Sequence, residues 1–424
     1  MHKLLISWIL ASLSSVPLVA YGGPTPTATV TAEVISARAQ WNTRRDRITT
    51  TLTLQTDRGE ELQVQQPGGS VGDIGMLQVP APPILRAGDR VEATLVRPQA
   101  AAADSDSEWP WQLAAVARLD RSHSLSAGQH RSGPVAEFVR TTTKMGRALY
   151  WSSRCVYLTY DSAGTSHLPG EQEFDVMDQV LEHWQSSVAS CSDVEFIFEE
   201  PRALEVGYDG VNLIKIRDER WCRPATADDP EVCHSTQAAG ITTLTFIDND
   251  QRNDYGRILD ADVELNAAVQ FAISVDGQSE GPDDRCLSDL ANTLTHEIGH
   301  LLGLDHTCRF PGDPVNIDDR GQAVPFCSSV SDQELLDATM HPSQECGETK
   351  KATLSDDDIN AMCAIYPLAS GDERSCEAVN IGGDRGGCEV AASRPATPTP
   401  SQPWWPLALL GLGLGLALRR RSSS

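Results

Sequence analysis

The segment His296–His306, HEIGHLLGLDH, places three histidines and one glutamate within eleven residues, and nothing else in the chain constrains its fold as tightly. It closes a longer run, CLSDLANTLTHEIGHLLG (286–303), in which Leu287, Leu290, Leu294, Ile298 and Leu301 recur at three or four residues. That period predicts a helix with one buried face. His296 and His300 are four apart, so their imidazoles project from the same side, one turn from each other. Glu297 stands beside them, within reach of a metal-held water. Two histidines and a glutamate so arranged form the HExxH pattern of zinc hydrolases, with two ligands and a general base. Gly303 can adopt the left-handed conformation that ends a helix. The chain can then turn and bring His306 back as a third ligand.

The extended pattern HExxHxxGxxH is the metzincin signature, and its nearby third histidine separates it from enzymes whose third ligand is a distant glutamate. Metzincins also carry a methionine turn beneath the metal. DATMHPS places Met340 34 residues after His306 (340 − 306), followed by Pro342. Pro342 stands where some metzincins have a tyrosine, so no tyrosine ligand is expected. In TLSDDDINAMCAIYP (353–367), Ser355 and Asp358 have capping-box spacing and Pro367 stops the helix. Together RCVYLTY, the Trp184 helix, GRILDADVELN, THEIGHLLGLDH, TMHP and LSDDDINAMCAIYP resemble a matrixin over about residues 140–367, in matrixin order. The match is closest to bacterial, especially myxobacterial, matrixin-like peptidases.

This resemblance implies an α+β catalytic domain: a twisted, mostly parallel five-stranded sheet, three helices and a cleft between two lobes. It implies Zn²⁺ on His296, His300 and His306, Glu297 as base, Met340 in the turn and a protein or peptide substrate. A pappalysin-like metzincin is the second reading among enzymes, and an adhesion module on a metzincin scaffold is the reading outside them. The intact Glu297 and three histidines argue against the latter. The chain also departs from the animal enzymes. It lacks the PRCGxPD cysteine switch, since WCRPA at Trp221 is a different sequence within the catalytic region, so latency through a propeptide thiol is unsupported. A second, structural zinc motif is not recognisable, and His234 alone is expected at the surface. Cys308–Asp337 is longer than the corresponding animal loop and looks like a disulfide-pinned insert near the cleft.

Upstream, residues 26–119 contain no cysteine and alternate apolar with polar residues in TATVTAEVISARA, RITTTLTLQT, GEELQVQQP and GDRVEATLVRP. They predict a small all-β domain, a barrel or sandwich. PGGSVGDIGML (67–77) reads as a glycine-rich connection needing positive φ; a phosphate loop would want a lysine and a following helix, and both are missing. A polar linker (120–139) leads to the catalytic region. There, strands are expected at 155–160, 194–198, 211–216 and 241–247, and a helix at 171–188 with Phe174, Met177, Leu181, Trp184 and Val188 on one stripe. ILDADVEL (258–265) alternates cleanly and reads as an exposed edge strand, which either docks an extended substrate or simply packs. The carboxylate-dense 248–262 stretch is a candidate for Ca²⁺ or a solvated loop, without EF-hand spacing.

The two ends concern export. Residues 1–22 read as a signal peptide: Lys3, an apolar run from Leu4 to Leu13, and small residues Ala20 and Gly22. Of eleven cysteines, ten lie between Cys155 and Cys376, as expected for an exported, disulfide-bonded protein, and Cys222 with Cys233 can close a local loop. A Pro/Gly/Ser-rich linker (368–403) precedes a hydrophobic segment (404–421) ending in three arginines. With Gly387–Cys388 upstream, this tail resembles the MYXO-CTERM sorting tails of myxobacterial surface proteins, which implies contact with a membrane or sorting machinery; a plain membrane anchor is the alternative. Asp and Glu outnumber Lys and Arg 59 to 34, a net charge of −25, without a basic stripe, so nucleic acid is not an expected partner. A monomer is expected, extracellular or at the cell surface.

Overall fold

The computed structural model describes residues 27–79, 85–96, 111–119 and 138–368, except 228, 269–270, 276, 278–284, 312 and 314, together with Cys376. The signal segment, residues 97–110, most of the 120–139 linker and the C-terminal tail lie outside the described residues. Everything described belongs to one compact unit, Met1–Ile381.

Five strands close a barrel in the order β1 (Thr27–Trp41), β2 (Ile48–Thr56), β3 (Glu61–Pro67), β7 (Trp111–Arg118) and β6 (Arg90–Val96), back to β1. The alternation expected from sequence supplies its interior: Ala32, Val34, Leu52, Leu54, Val64, Val91, Ala93 and Leu95 form a dry core, each at 0% exposure. Between β3 and β6 the chain leaves the barrel as a hairpin, β4 (Gly69–Val71) and β5 (Ile74–Val79). Glycine is required at the exit. Gly68 and Gly69 have φ of +85° and +130°, and a Cβ on them would meet the Met76 carbonyl oxygen at 2.7 Å and Thr50 Oγ1 at 2.5 Å. The positive φ expected at 67–77 is therefore present, but this segment is a hairpin rather than a bare connection.

After β8 (Val139–Arg140), the second half contributes β9 (Cys155–Tyr160), α1 (Gln172–Val188), β10 (Glu195–Phe198), β11 (Leu213–Arg217), β12 (Cys222–Arg223), β13 (Val232–Cys233), β14 (Gly240–Ile247) and β15 (Ile258–Asn266). It continues with β16 (Phe271–Ser274), β17 (Cys286–Asp289), α2 (Leu290–Leu301), β18 (Leu304–Asp305), α3 (Gln333–Asp337) and α4 (Asp356–Ile365). The main sheet runs β10-β9-β11-β15-β14-β5-β4. β10, β9, β11 and β15 are parallel, and β14 is antiparallel to both β15 and β5. The architecture is thus α+β, but the sheet has seven strands rather than the expected five: five from residues 155–266 and two from the hairpin that joins it. Met177, Leu181, Trp184 and Val188 of α1 pack with Leu294, Ile298 and Leu301 of α2 and with sheet residues Leu244, Val263 and Leu265 in one core. No described helix is long and apolar enough to cross a membrane.

Three expectations are corrected. β15 is not an exposed edge: it lies between β11 and β14, and eight of its nine residues are buried. Its alternating carboxylates mimic a solvent face yet find partners inside. Asp260 accepts the backbone N–H of Gly210 at 2.7 Å, and Asp262 accepts those of Gly207 and Leu213 at 2.8 and 3.0 Å. The predicted helix over 286–303 begins only at Leu290. Cys286–Asp289 pairs instead as β17 with β16, and the Asp289 side chain caps the helix by accepting from Asn292 N at 3.0 Å. His234 is not at the surface. Its side chain is 2% exposed, 3.5 Å from Glu264, which also accepts from Arg217 and Arg223.

Disulfides join Cys155 to Cys376, Cys191 to Cys363, Cys222 to Cys233, Cys286 to Cys346 and Cys308 to Cys327. The local 222–233 loop and the pinned 308–327 insert are both present. Five such bonds are the chemistry of an oxidising, extracytoplasmic compartment.

Candidate metal centre

α2 carries His296, Glu297 and His300 on its buried side, and the turn after it supplies the third histidine. Gly303 takes φ +91°, its N–H closing on the His300 carbonyl at 2.9 Å. A side chain there would press on the Leu149 carbonyl oxygen at 2.9 Å. β18 then pairs with β8, which holds the returning chain and delivers His306.

The three Nε2 atoms converge: 3.1 Å for His296–His300, 3.1 Å for His300–His306 and 3.2 Å for His296–His306. Nitrogens about 2.0–2.1 Å from a tetrahedral zinc ion would stand roughly 3.3–3.4 Å apart, so this triangle fits one face of such a site. The outward nitrogens fix the tautomers. His296 Nδ1 is 2.7 Å from the Thr339 carbonyl and His300 Nδ1 is 2.9 Å from the Leu304 carbonyl. A carbonyl oxygen only accepts, so both Nδ1 atoms carry the hydrogen and both Nε2 lone pairs face the common centre. Burial lowers the pKa of all three histidines, His296 and His306 well below the usual value and His300 to about 4, so the rings are neutral. Neutral, converging imidazoles form a group that could hold a metal ion.

Glu297 is 3% exposed, and burial pushes its carboxyl up to about 8, opposed by a hydrogen bond from Thr242 and by the charge of Lys351. The Thr242 hydroxyl, on β14, donates to Glu297 Oε2 at 2.7 Å. A Cβ on Gly240, at the start of β14, would lie 2.5 Å from Glu297 Oε1. The glutamate is therefore pressed against the strand that flanks the centre.

Met340 lies beneath α2. It is 2% exposed, and a Cβ on Gly299 would meet its sulfur at 2.3 Å. The neighbouring Thr339 carbonyl is the one that orients His296, so the 339–340 turn supports the site from below. The C-terminal carbonyls of α2 have partners as well. Trp151 Nε1 donates to Leu301 O and the Tyr366 hydroxyl to Leu302 O, each at 2.8 Å. Ser355 N donates to the Asp358 carboxylate at 2.9 Å, the expected capping box, which starts the helix leading to Tyr366.

All sequence-derived site residues gather here: His296, His300 and His306 as the donor triangle, Glu297 beside it and Met340 below. Thr242, Thr339 and Lys351 were not foreseen. Lys351 is 2% exposed; burial lowers its ammonium to about 8. Thr242 falls within the strand expected at 241–247 and Lys351 within no expected element or motif, so no local signal marks either. Two other groups with metal-ligand atoms, Cys308–Cys327–His341 and Cys222–Glu231–Cys233, have their cysteines spent in disulfides. The 248–262 stretch contains no such group among the described residues. Asp254 there pairs with Arg252 and Arg257, and Asn249 binds Asp73.

No protein-family model matches the chain, and no curated protein matches it.

Proposed function

We propose that this chain is an exported zinc-dependent endopeptidase of the metzincin class, and within that class a matrixin-like enzyme. The observation that carries the reading is the triangle of three histidine Nε2 atoms, 3.1–3.2 Å apart, with Glu297 one residue from the first ligand. His296, His300 and His306 would hold the ion, leaving one position open. When bound, zinc supplies Lewis acidity to the scissile carbonyl and lowers the pKa of water from 15.7 towards about 7. Glu297 takes the proton of the attacking water and hands it to the leaving amine, so no covalent intermediate is needed. Thr242 holds the Glu297 carboxylate in place, while the Thr339 and Leu304 carbonyls keep two ligands in the required tautomer.

The order β10-β9-β11-β15-β14, with only β14 antiparallel, supports the metzincin reading, as do the Met340 turn and the 356–365 helix packed against α1. The five disulfides support export, and attachment through the C-terminal tail is part of the same proposal. The deciding experiment measures zinc content and hydrolysis of a broad peptide library by the chain and by Glu297→Ala. One zinc per chain in both, with hydrolysis only in the unaltered chain, is expected. Zinc without Glu297-dependent cleavage in any form overturns the reading.

A further inference from the structure

An extended peptide reaches Glu297 most directly by adding a strand to β14, because Thr242 and Gly240 of that strand touch the glutamate side chain. Strand addition supplies affinity through main-chain hydrogen bonds that any sequence can make. β14 is paired on its other side with β15, so only one of its edges can accept a peptide. That edge is filled. β5 runs antiparallel along it from Ile74 opposite Ile247 to Val79 opposite Thr242, six consecutive pairs. The last pair ends at the residue that holds the glutamate.

We infer that the β4–β5 hairpin is the chain's own occupant of the peptide-docking edge of β14, so that this form is latent and becomes active when the hairpin is displaced. The inference rests on the peptidase reading and adds to it how the site is controlled.

The contacts describe a strand fitted closely to its place but joined to the rest of the sheet only through β14. Gly75 lies flat against Phe246, where a Cβ would come within 2.6 Å of the ring. Val79 is 1% exposed within the core shared with α2 and the sheet. At the hairpin tip Ser70 donates to Asp248, and Asn249 donates to Asp73 at 2.7 Å. Among the described residues, only β4, three residues long, stands beyond β5. The hairpin belongs by sequence to the barrel, between β3 and β6, so movement of the barrel would carry it off the edge. Control of this kind needs no propeptide thiol, consistent with the missing cysteine switch. It also specifies the incoming peptide: extended, antiparallel to β14, and with a small residue opposite Phe246.

The test uses the zinc-loaded full chain and two variants. Gly75→Val drives a side chain into Phe246 and should lift β5. Ser70→Ala with Asp73→Ala removes only the tip contacts and keeps the fold if the first variant does not. Hydrogen exchange at residues 242–247 reports the edge, and hydrolysis of a quenched fluorescent peptide library reports the site. Faster exchange with a rise in Glu297-dependent turnover of about tenfold for Gly75→Val, and a smaller rise for the tip variant, is expected from the shifted open population. Faster exchange with unchanged Glu297-dependent turnover overturns the inference and leaves the peptidase reading standing. Exchange that stays slow in both variants makes the hairpin a permanent part of the sheet and also overturns it. An open edge with no Glu297-dependent cleavage in any form removes the peptidase reading, and the inference with it.

Discussion

Thr242 Oγ1 lies 2.7 Å from Glu297 Oε2 and 3.1 Å from the Glu297 carbonyl oxygen, so one strand hydroxyl sits between the side chain and backbone of the proposed base. A hydrogen bond to a charged group contributes about 1.5–3 kcal/mol. Thr242→Val keeps the β-branched shape and removes the donor. The expected result is a fall in kcat of about tenfold or more, given 1.4 kcal/mol per factor of ten, with KM and zinc content little changed. An unaltered kcat would mean that the hydroxyl does not position the carboxylate.

Zinc should stabilise the fold measurably. The His296 and His300 Nε2 lone pairs face each other at 3.1 Å, and His306 Nε2 lies 3.1–3.2 Å from both, an arrangement that a cation between them relieves. A ligand at one hundred times its Kd that binds only the folded state adds about 2.7 kcal/mol. Chelation should therefore lower Tm by several degrees and added zinc should restore it, in the unaltered chain and in Glu297→Ala alike. His300→Asn should abolish the response. A Tm indifferent to zinc in calorimetry would show that the triangle holds no metal.

Much of this site was legible in sequence because its ligands are local. His296, Glu297, His300, Gly303 and His306 fall within one helix and one turn, where spacing alone decides which side chains meet. The 171–188 helix and the capping box of Ser355 were readable for the same reason. What escaped involves partners far apart in the chain. β15 alternates like a half-exposed strand, and nothing near Asp260 or Asp262 announces that backbone N–H groups at 207–213 receive their carboxylates. Leu287 continues the helical period of α2, yet pairing with β16 and the Asp289 cap hold 286–289 extended. The pairing of β5 with β14 joins residues about 170 apart, a relation that no local pattern encodes. His234 looked solitary because Glu264, Arg217 and Arg223 meet it only in the folded sheet.

That last cluster makes its own prediction. Glu264 is 0% exposed. Burial raises its pKa, but Arg223, His234 and Arg217 overcome that and hold the carboxyl well below the usual range. Removing one partner from a buried ion group leaves a charge uncompensated, at a cost of about 3–5 kcal/mol. Arg223→Met should show a loss of that size in urea denaturation. Adding Glu264→Gln to it should restore part of the stability, because the unpaired charge then goes too. A change under 1 kcal/mol for Arg223→Met would mean that Arg217 and His234 suffice.

Asp260 and Asp262 predict the opposite response to pH from that of an ordinary salt-bridged carboxylate. Both are 2% exposed, and burial pushes both up, Asp260 to about 8 and Asp262 well above its ordinary value. Each raises the other or is raised by a neighbouring carboxylate: Asp209 acts on Asp260, and Asp260 acts on Asp262, with Arg223 opposing. Backbone N–H donors from Gly210, Gly207 and Leu213 favour the charged forms but do not offset burial. The folded state therefore binds more protons than the unfolded chain above about pH 4, where free carboxyls ionise, and stability falls as pH rises. The contribution is complete below that pH and lost as pH passes through about 8. Asp260→Asn keeps an oxygen to accept the Gly210 N–H and cannot ionise. It should leave Tm nearly unchanged at pH 4–5 and raise it by several degrees at pH 8, flattening the pH slope measured by calorimetry. A Tm lowered equally at both pH values would show that Asp260 is ionised in the fold throughout this range and that its charge supports the 207–213 loop.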